Sequence, residues 1–285
     1  MKKKLIAGLL VSAMAVSLSG CGASKTEEAP AAGDSAAEET AEAEPVTLNV
    51  FAAASMTETL TEIQEMYKDV APNVTLVFNF DSSGTLKTQI QEGAYCDLFI
   101  SAAQKQMNQL DMDADPEVNT EGLDYVLEGT RVNLLENKVV LAVPDGNPKN
   151  IESFEDLGTD KLSLLALGNE DVPVGQYSTE ILTNLDILDS LEAEGKITYG
   201  SNVKEVTTQV SEAAVDAGII YATDAFSAGL TVVDQAEGDL CKQVIYPAAV
   251  LNISRNPEAA KEFLAYLQTD TCMQVFEAVG FTAAE

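Results

Sequence analysis

The sequence predicts an α/β protein of two lobes with a ligand cleft between them, and three observations lead there. Apolar runs of strand length, at residues 46–54, 74–80 and 137–144 among others, alternate with segments whose apolar residues recur at helical spacing. The alternation holds from Val46 to the end of the chain, which implies mostly parallel sheets. The body from Val46 onward is 240 of the 285 residues, at the upper edge of what one core encloses, so two lobes fit it better than one. Clefts at such domain interfaces are favoured places for ligands.

The N-terminus stands apart. Lys2, Lys3 and Lys4 precede an apolar run from Leu5 to Leu18, too short for a stable membrane span and shaped as a signal peptide over residues 1–20. It ends in Leu18-Ser19-Gly20-Cys21, which resembles a bacterial lipobox; the resemblance implies cleavage before Cys21 and a diacylglycerol on its sulfur. An ordinary secretory signal with a chance cysteine is the alternative, and the tight spacing favours the lipobox. Residues 22–44 contain no aromatic or branched aliphatic side chain and cannot order themselves by burial. Residues 21–45 are therefore expected to be a disordered acidic tether, holding the body at the outer face of the cytoplasmic membrane, on the extracellular side or in the periplasm.

The first element of the body organises the rest. Val46, Leu48 and Val50 alternate with Thr47 and Asn49, and Phe51-Ala52-Ala53-Ala54 gives a buried strand end. At Ser55 the period turns helical, with Leu60, Ile63 and Tyr67 on one face, and Ser55 stands where an N-cap belongs. A strand that turns directly into a helix presents backbone N–H groups and the positive end of the helix dipole to one point, which suits an anion. Taken alone this turn is better read as a plain serine-capped βα unit. Its recurrence along the chain is what argues for a site.

The second unit is a strand at 74–80, the turn Asp81-Ser82-Ser83-Gly84, and a helix over 85–92 with Leu86 and Ile90 inward, stopped by Gly93. Residues 97–101 form a third strand, followed by an amphipathic segment through Met107 and Leu110 and an acidic loop at 111–119. A strand at 137–144 ends in Asp145-Gly146-Asn147-Pro148. Residues 154–157 read as a short helix and 162–167 as a strand, after which 168–177 lead into a helix with Ile181, Leu182 and Leu185. Residues 197–200 are extended. Asn202 caps a helix carrying Val203, Val206, Val210 and Ala214 that runs into a strand at 218–221. Residues 244–252 are extended, and Pro257 opens a helix with Phe263, Leu264 and Leu267. The lobes are expected at 46–136 and 137–246, with 247–285 returning to the first.

Composition narrows the function. The chain carries a net −30, and from Val46 onward 12 bases face 39 acids, a net −27. That sign excludes nucleic acid as a partner and otherwise gives a solvated surface. Histidine is absent, which removes histidine metal sites and Ser-His-Asp or Cys-His catalysis. No G-x-S-x-G elbow occurs, and acids such as Glu58 and Glu62 read as solvated. Cys96 and Cys272 read as core residues, and with Cys241 they set no disulfide framework. Neither an enzyme nor a cofactor is expected. A structural lipoprotein, the remaining class, would need no convergent donors.

Taken together, these turns resemble the molybdate-binding family of ABC-importer substrate-binding proteins. The resemblance covers the whole body. It rests on Ala52-Ala53-Ala54-Ser55, on Asp81-Ser82-Ser83-Gly84-Thr85-Leu86, and on Gly93-Ala94-Tyr95-Cys96-Asp97-Leu98-Phe99-Ile100-Ser101-Ala102. Val172-Pro173-Val174-Gly175-Gln176-Tyr177, Ala217-Gly218-Ile219-Ile220-Tyr221-Ala222-Thr223-Asp224-Ala225 and Gly280-Phe281-Thr282 complete it. The resemblance implies a type II periplasmic-binding-protein fold and oxyanion contacts from Ser55 and Ser83 through hydroxyl and backbone N–H. It adds Val174 and Val203 through backbone N–H and Tyr221 through its phenol. These five hold molybdenum only as its oxyanion, with no direct metal ligand. The family usually has alanine at the Val174 position, a change that a backbone donor tolerates, and the segment around Val203 matches loosely.

Physical chemistry supports the same set. A tetrahedral molybdate dianion offers no proton and needs only donors. Four helix N-termini, at about half a positive charge each, sum to about +2. No lysine or arginine adjoins the five positions except Lys204. Such a site discriminates by size: sulfate has shorter bonds, tungstate is nearly isosteric, and phosphate brings a proton that an all-donor shell rejects. With no histidine to titrate, binding is expected to be flat across neutral pH. The expected protein is a monomer that delivers molybdate or tungstate to an ABC permease, the alternative being a receptor for another tetrahedral oxyanion, tungstate-preferring or sulfate.

Overall fold

The computed structural model describes residues 44–284, so the expected signal peptide, Cys21 and nearly all of the tether lie outside the described residues. In chain order the elements are β1 (Val46–Ala53), α1 (Thr57–Val70), β2 (Val74–Asp81), α2 (Ser83–Gln91), β3 (Leu98–Ile100), α3 (Gln104–Asn108), β4 (Val132–Asn137), β5 (Val139–Val143), β6 (Leu165–Gly168), α4 (Pro173–Asn184), α5 (Leu188–Ala193), β7 (Ile197–Gly200), α6 (Val203–Ser211), β8 (Ala217–Tyr221), α7 (Ala222–Ser227), β9 (Thr231–Gln235), β10 (Val244–Val250), α8 (Pro257–Leu267), α9 (Asp270–Ala278) and β11 (Thr282–Ala283).

These elements make the two lobes. One holds a six-stranded sheet in the order β11-β4-β10-β3-β1-β2, the other a five-stranded sheet in the order β7-β6-β8-β5-β9. The chain crosses between sheets at Lys138 and again between β9 and β10. Val244 already pairs with Asn137 and Tyr246 with Leu135, so the first sheet takes the chain back ahead of the expected residue 247.

The sheets are mixed rather than mostly parallel. β1 runs parallel to β2 and β3, and β6 runs parallel to β7 and β8. β5 and β10 are antiparallel to their neighbours. Each of these two arrives directly from the other lobe instead of through a helical crossover, so nothing imposes the parallel direction. The parallel strands β1, β2, β6, β7 and β8 each lead into a helix, and ligand sites in such sheets form beyond the carboxyl ends of the strands.

Local spacing sets the helices. Leu60, Ile63 and Tyr67 of α1 are buried in the same core cluster as Leu48, Val50 and Ala52 of β1. Asn202 caps α6, its side chain accepting from the Glu205 N–H at 3.1 Å. That helix stops at Ser211 rather than reaching Ala214: the apolar stripe ends at Val210, and Ala213 takes φ 52° to turn the chain into β8. The strand expected at 162–167 begins at Leu165. Cys96, Cys241 and Cys272 are buried and unpaired.

Candidate functional site

The register of β1 and β2 sets the site. Ala53 pairs with Asp81, so Ser55 and Ser83, each two residues further on, leave the sheet at the same level. Ser55 is not the cap of α1. It sits in a single 3-10 turn, Ala54–Met56, and α1 starts after Met56 without a side-chain cap. The serine is thereby freed, and its Oγ lies 2.9 Å from Tyr246 Oη on β10. In the second turn the cap is Ser82, whose Oγ accepts from the Thr85 N–H at 3.1 Å. Ser83 is the first helical residue and its Oγ accepts from the Ala102 N–H at 2.9 Å.

From the other lobe, Val203 opens α6, Val174 is the second residue of α4, and Tyr221 ends β8. Ser55, Ser83, Val203 and Tyr221 line one small cavity with Asp81, Ala102, Val172 and Pro173, enclosing about 200 Å³ including its mouth. Val174 stands immediately behind Pro173 and is buried rather than on the wall. The N–H groups of Ser83, Val174 and Val203 belong to first helical turns, where no intrahelical acceptor exists, and none meets another acceptor among the described residues.

The hydroxyls are held in place by buried polar neighbours. Asn137 Oδ1 accepts from the Lys138 N–H at 2.8 Å, which directs Asn137 Nδ2 to Thr223 Oγ1 at 2.9 Å and to Tyr246 Oη at 3.1 Å. Tyr246 Oη accepts from Asn137 Nδ2 and shares a hydrogen bond with Ser55 Oγ, which pins the serine hydroxyl at the cavity wall. Ser83, accepting from Ala102, keeps its own proton free to donate. Burial above all, then Tyr246, Tyr177 and Asp224, holds the Tyr221 phenol well above its ordinary range. It stays protonated, and its Oη makes a long 3.5 Å contact to the Ala102 carbonyl. Asn137 and Tyr246 have no sequence signal linking them to Ser55, since Tyr246 lies 191 residues away.

No lysine or arginine lines the cavity. Lys204, the one cation beside it in sequence, is committed elsewhere. Its Nζ lies 2.8 Å from Glu58 Oε2 on the opposite lobe and 3.1 Å from Asp224 Oδ1 on its own. Burial pushes this ammonium down, but Asp224 and Glu58 outweigh it and hold Lys204 above its ordinary value. Asp224 is fully buried, and burial pushes its carboxyl up to about 6 against the pull of Lys204. Asp224 is thus a buried carboxyl raised toward neutrality beside the site, though it does not line the cavity.

Two wider surface grooves suit an anion less. One of about 820 Å³ is lined by Asp111, Asp113, Asp124 and Glu128, with Arg131 already bonded to Asp111 at 2.6 Å. The other, about 740 Å³ beside the crossovers, lies away from the convergent turns. No group of three or more His, Cys, Asp or Glu suited to a metal ion occurs among the described residues.

Residues 48–282 match the family model of bacterial extracellular solute-binding proteins. YvgL of Bacillus subtilis is 38% identical over 240 residues, covering 84% of this chain and 87% of that protein. The molybdate-binding protein ModA of Haemophilus influenzae is 33% identical over 241 residues, covering 83% and 90%. Among solved structures, the periplasmic molybdate-binding protein of Azotobacter vinelandii superposes with a TM-score of 0.71 at 21% identity, over 84% of this chain and 100% of that one, a likeness of fold. The chain belongs to the bacterial extracellular solute-binding proteins.

Proposed function

We propose that the protein captures molybdate, with tungstate as its near-isosteric equivalent, and delivers it to the permease of an ABC importer. One observation carries the reading: donors from both lobes converge on a small cavity that has no cationic side chain. Ser55 and Ser83 give hydroxyls and N–H groups, Val174 and Val203 give N–H groups, and Tyr221 gives its phenol. The cavity is small and lined by both lobes, which favours a compact ion over an organic ligand. The helix N-termini balance the dianion without an ion pair, so opening the lobes releases it without breaking one. The ModA relatives named for molybdate support this choice of anion.

The mature chain acts as a monomer outside the cytoplasm, held to the membrane by lipid on Cys21, with residues 22–45 as its leash. YvgL, provisionally named as a substrate-binding lipoprotein of an ABC transporter, supports that anchoring. Fatty-acid labelling of the cells should mark the wild-type protein and not Cys21→Ala; label persisting in the variant would refute the anchor.

Calorimetric titration of the body with molybdate, tungstate, sulfate and phosphate tests the ligand. One molybdate or tungstate per chain is expected, with sulfate far weaker and phosphate weaker still. Equal affinity for sulfate and molybdate would overturn the reading in favour of a general oxyanion receptor.

A further inference from the structure

Gly84 lies buried in the first turn of α2, with a backbone that any residue adopts. Nothing local calls for glycine there, and alanine is the better helix former. What calls for it is the other lobe. A Cβ on Gly84 would lie 2.1 Å from the carbonyl oxygen of Asp171 and 2.9 Å from its carbonyl carbon. The Gly84 N–H donates to that same oxygen at 3.1 Å. Asp171 belongs to the loop between β6 and α4, so the two lobes meet here backbone to backbone.

That loop is braced within its own lobe. The Asp171 N–H donates to Asn169 Oδ1 at 2.9 Å, and the Asn169 N–H donates to the Gly200 carbonyl at 2.9 Å. Gln176 Nε2 donates to the Glu170 carbonyl at 2.9 Å. The loop therefore does not retreat from an added side chain without giving up these bonds. It runs directly into Pro173 and Val174. The contact thus stands between Ser83 on one side and the first turn of α4 on the other, and it fixes how closely their donors approach each other.

We propose that Gly84 is the stop against which the lobes close, a residue present for the closed cleft and dispensable for folding. The role rests on the oxyanion reading of the cleft. A methyl group at position 84 holds α4 and α2 apart, so the open protein is unharmed while the Val174 N–H is pulled off the anion.

The test compares wild type and Gly84→Ala by ligand-free thermal melting, titration with molybdate, dissociation rate, and contraction seen by small-angle X-ray scattering. The variant should melt no lower than wild type without ligand. It should bind molybdate at least tenfold more weakly, release it faster, and fail to contract. A variant that binds and contracts like wild type overturns the role of Gly84 alone. So does one that melts well below wild type without ligand, since the glycine would then serve its own lobe. A wild type that binds none of the four oxyanions overturns the oxyanion reading and this role with it.

Discussion

Tyr246 Oη lies 2.9 Å from Ser55 Oγ, and Asn137 Nδ2 donates to the same phenol oxygen at 3.1 Å. If the tyrosine is the donor of this pair, Ser55 keeps its own proton for the cavity. Tyr246 is itself held edge-on by Phe281, with ring centroids 5.2 Å apart. Tyr246→Phe should free the Ser55 lone pair, weaken molybdate and raise tolerance for hydrogen phosphate, which can donate to it. Calorimetry of both anions on both proteins gives the ratio. An unchanged molybdate-to-phosphate preference would show that Tyr246 does not orient Ser55. The variant should also lose about 1–3 kcal/mol of stability, because an Asn137 donor is left unpaired.

The two serines of the second turn should separate cleanly. Ser83→Ala removes a donor to a charged ligand and should weaken molybdate by about 1.5–3 kcal/mol, as should Ser55→Ala. Ser82→Ala removes the cap on Thr85 and should cost about 1 kcal/mol of stability with little change in affinity. If Ser82→Ala proves the more damaging to binding, the assignment of the hydroxyl donor in this turn is off by one.

Asp224 should make both stability and binding depend on pH. Its carboxyl is raised from 3.8 to about 6, so the folded protein holds the proton more tightly than the unfolded chain. The stability this contributes is complete below about pH 4 and is lost as pH rises through 6. Protonation also removes a negative charge coupled to Tyr221 and Tyr246 and leaves Lys204 less compensated. Molybdate affinity should therefore rise as pH falls from 7 toward 5.5. The rise should be absent in Asp224→Asn, and a wild type as flat as that variant would remove Asp224 from the account.

Added chloride should leave molybdate affinity level or slightly raised. The body carries a net −27, whose long-range repulsion is screened over about 8–10 Å at physiological salt, while short hydrogen bonds in the closed cleft are screened far less. Lys204 is neutralised by Glu58 and Asp224 and offers the anion no free charge. The Glu58 pair is half-exposed and worth at most about 1 kcal/mol, so its screening changes little. Stopped-flow mixing should show the gain in the association rate. Affinity that falls steeply with salt would point to a cation in contact with the ligand, with Lys204 the first to replace.

The chain by itself determined whatever depends on neighbours a few residues apart. Alternation in residues 46–54 and 74–80 marked β1 and β2, three- and four-residue spacing marked α1, α2 and α6, and Asn202 showed as a cap. These are short-range effects of backbone hydrogen bonding and side-chain direction, readable from a window of ten to fifteen residues. The turns at Ser55, Ser83, Val203 and Tyr221 were legible for the same reason, whereas the choice of these residues as anion contacts came from the resemblance to the molybdate-binding family. Tertiary structure decided the rest. Ser55 looked like a cap until a 3-10 turn and a tyrosine 191 residues away gave its hydroxyl another role. β5 and β10 run antiparallel because each enters its sheet from the other lobe, which no local pattern records. Glu58 read as a solvated acid and Gly84 as part of a turn motif. Only the approach of α6 and of Asp171 across the cleft made the first an ion-pair partner and the second a point of contact. A charge pair or a steric contact between residues far apart in sequence depends on the distance that folding sets, and local spacing carries none of that information.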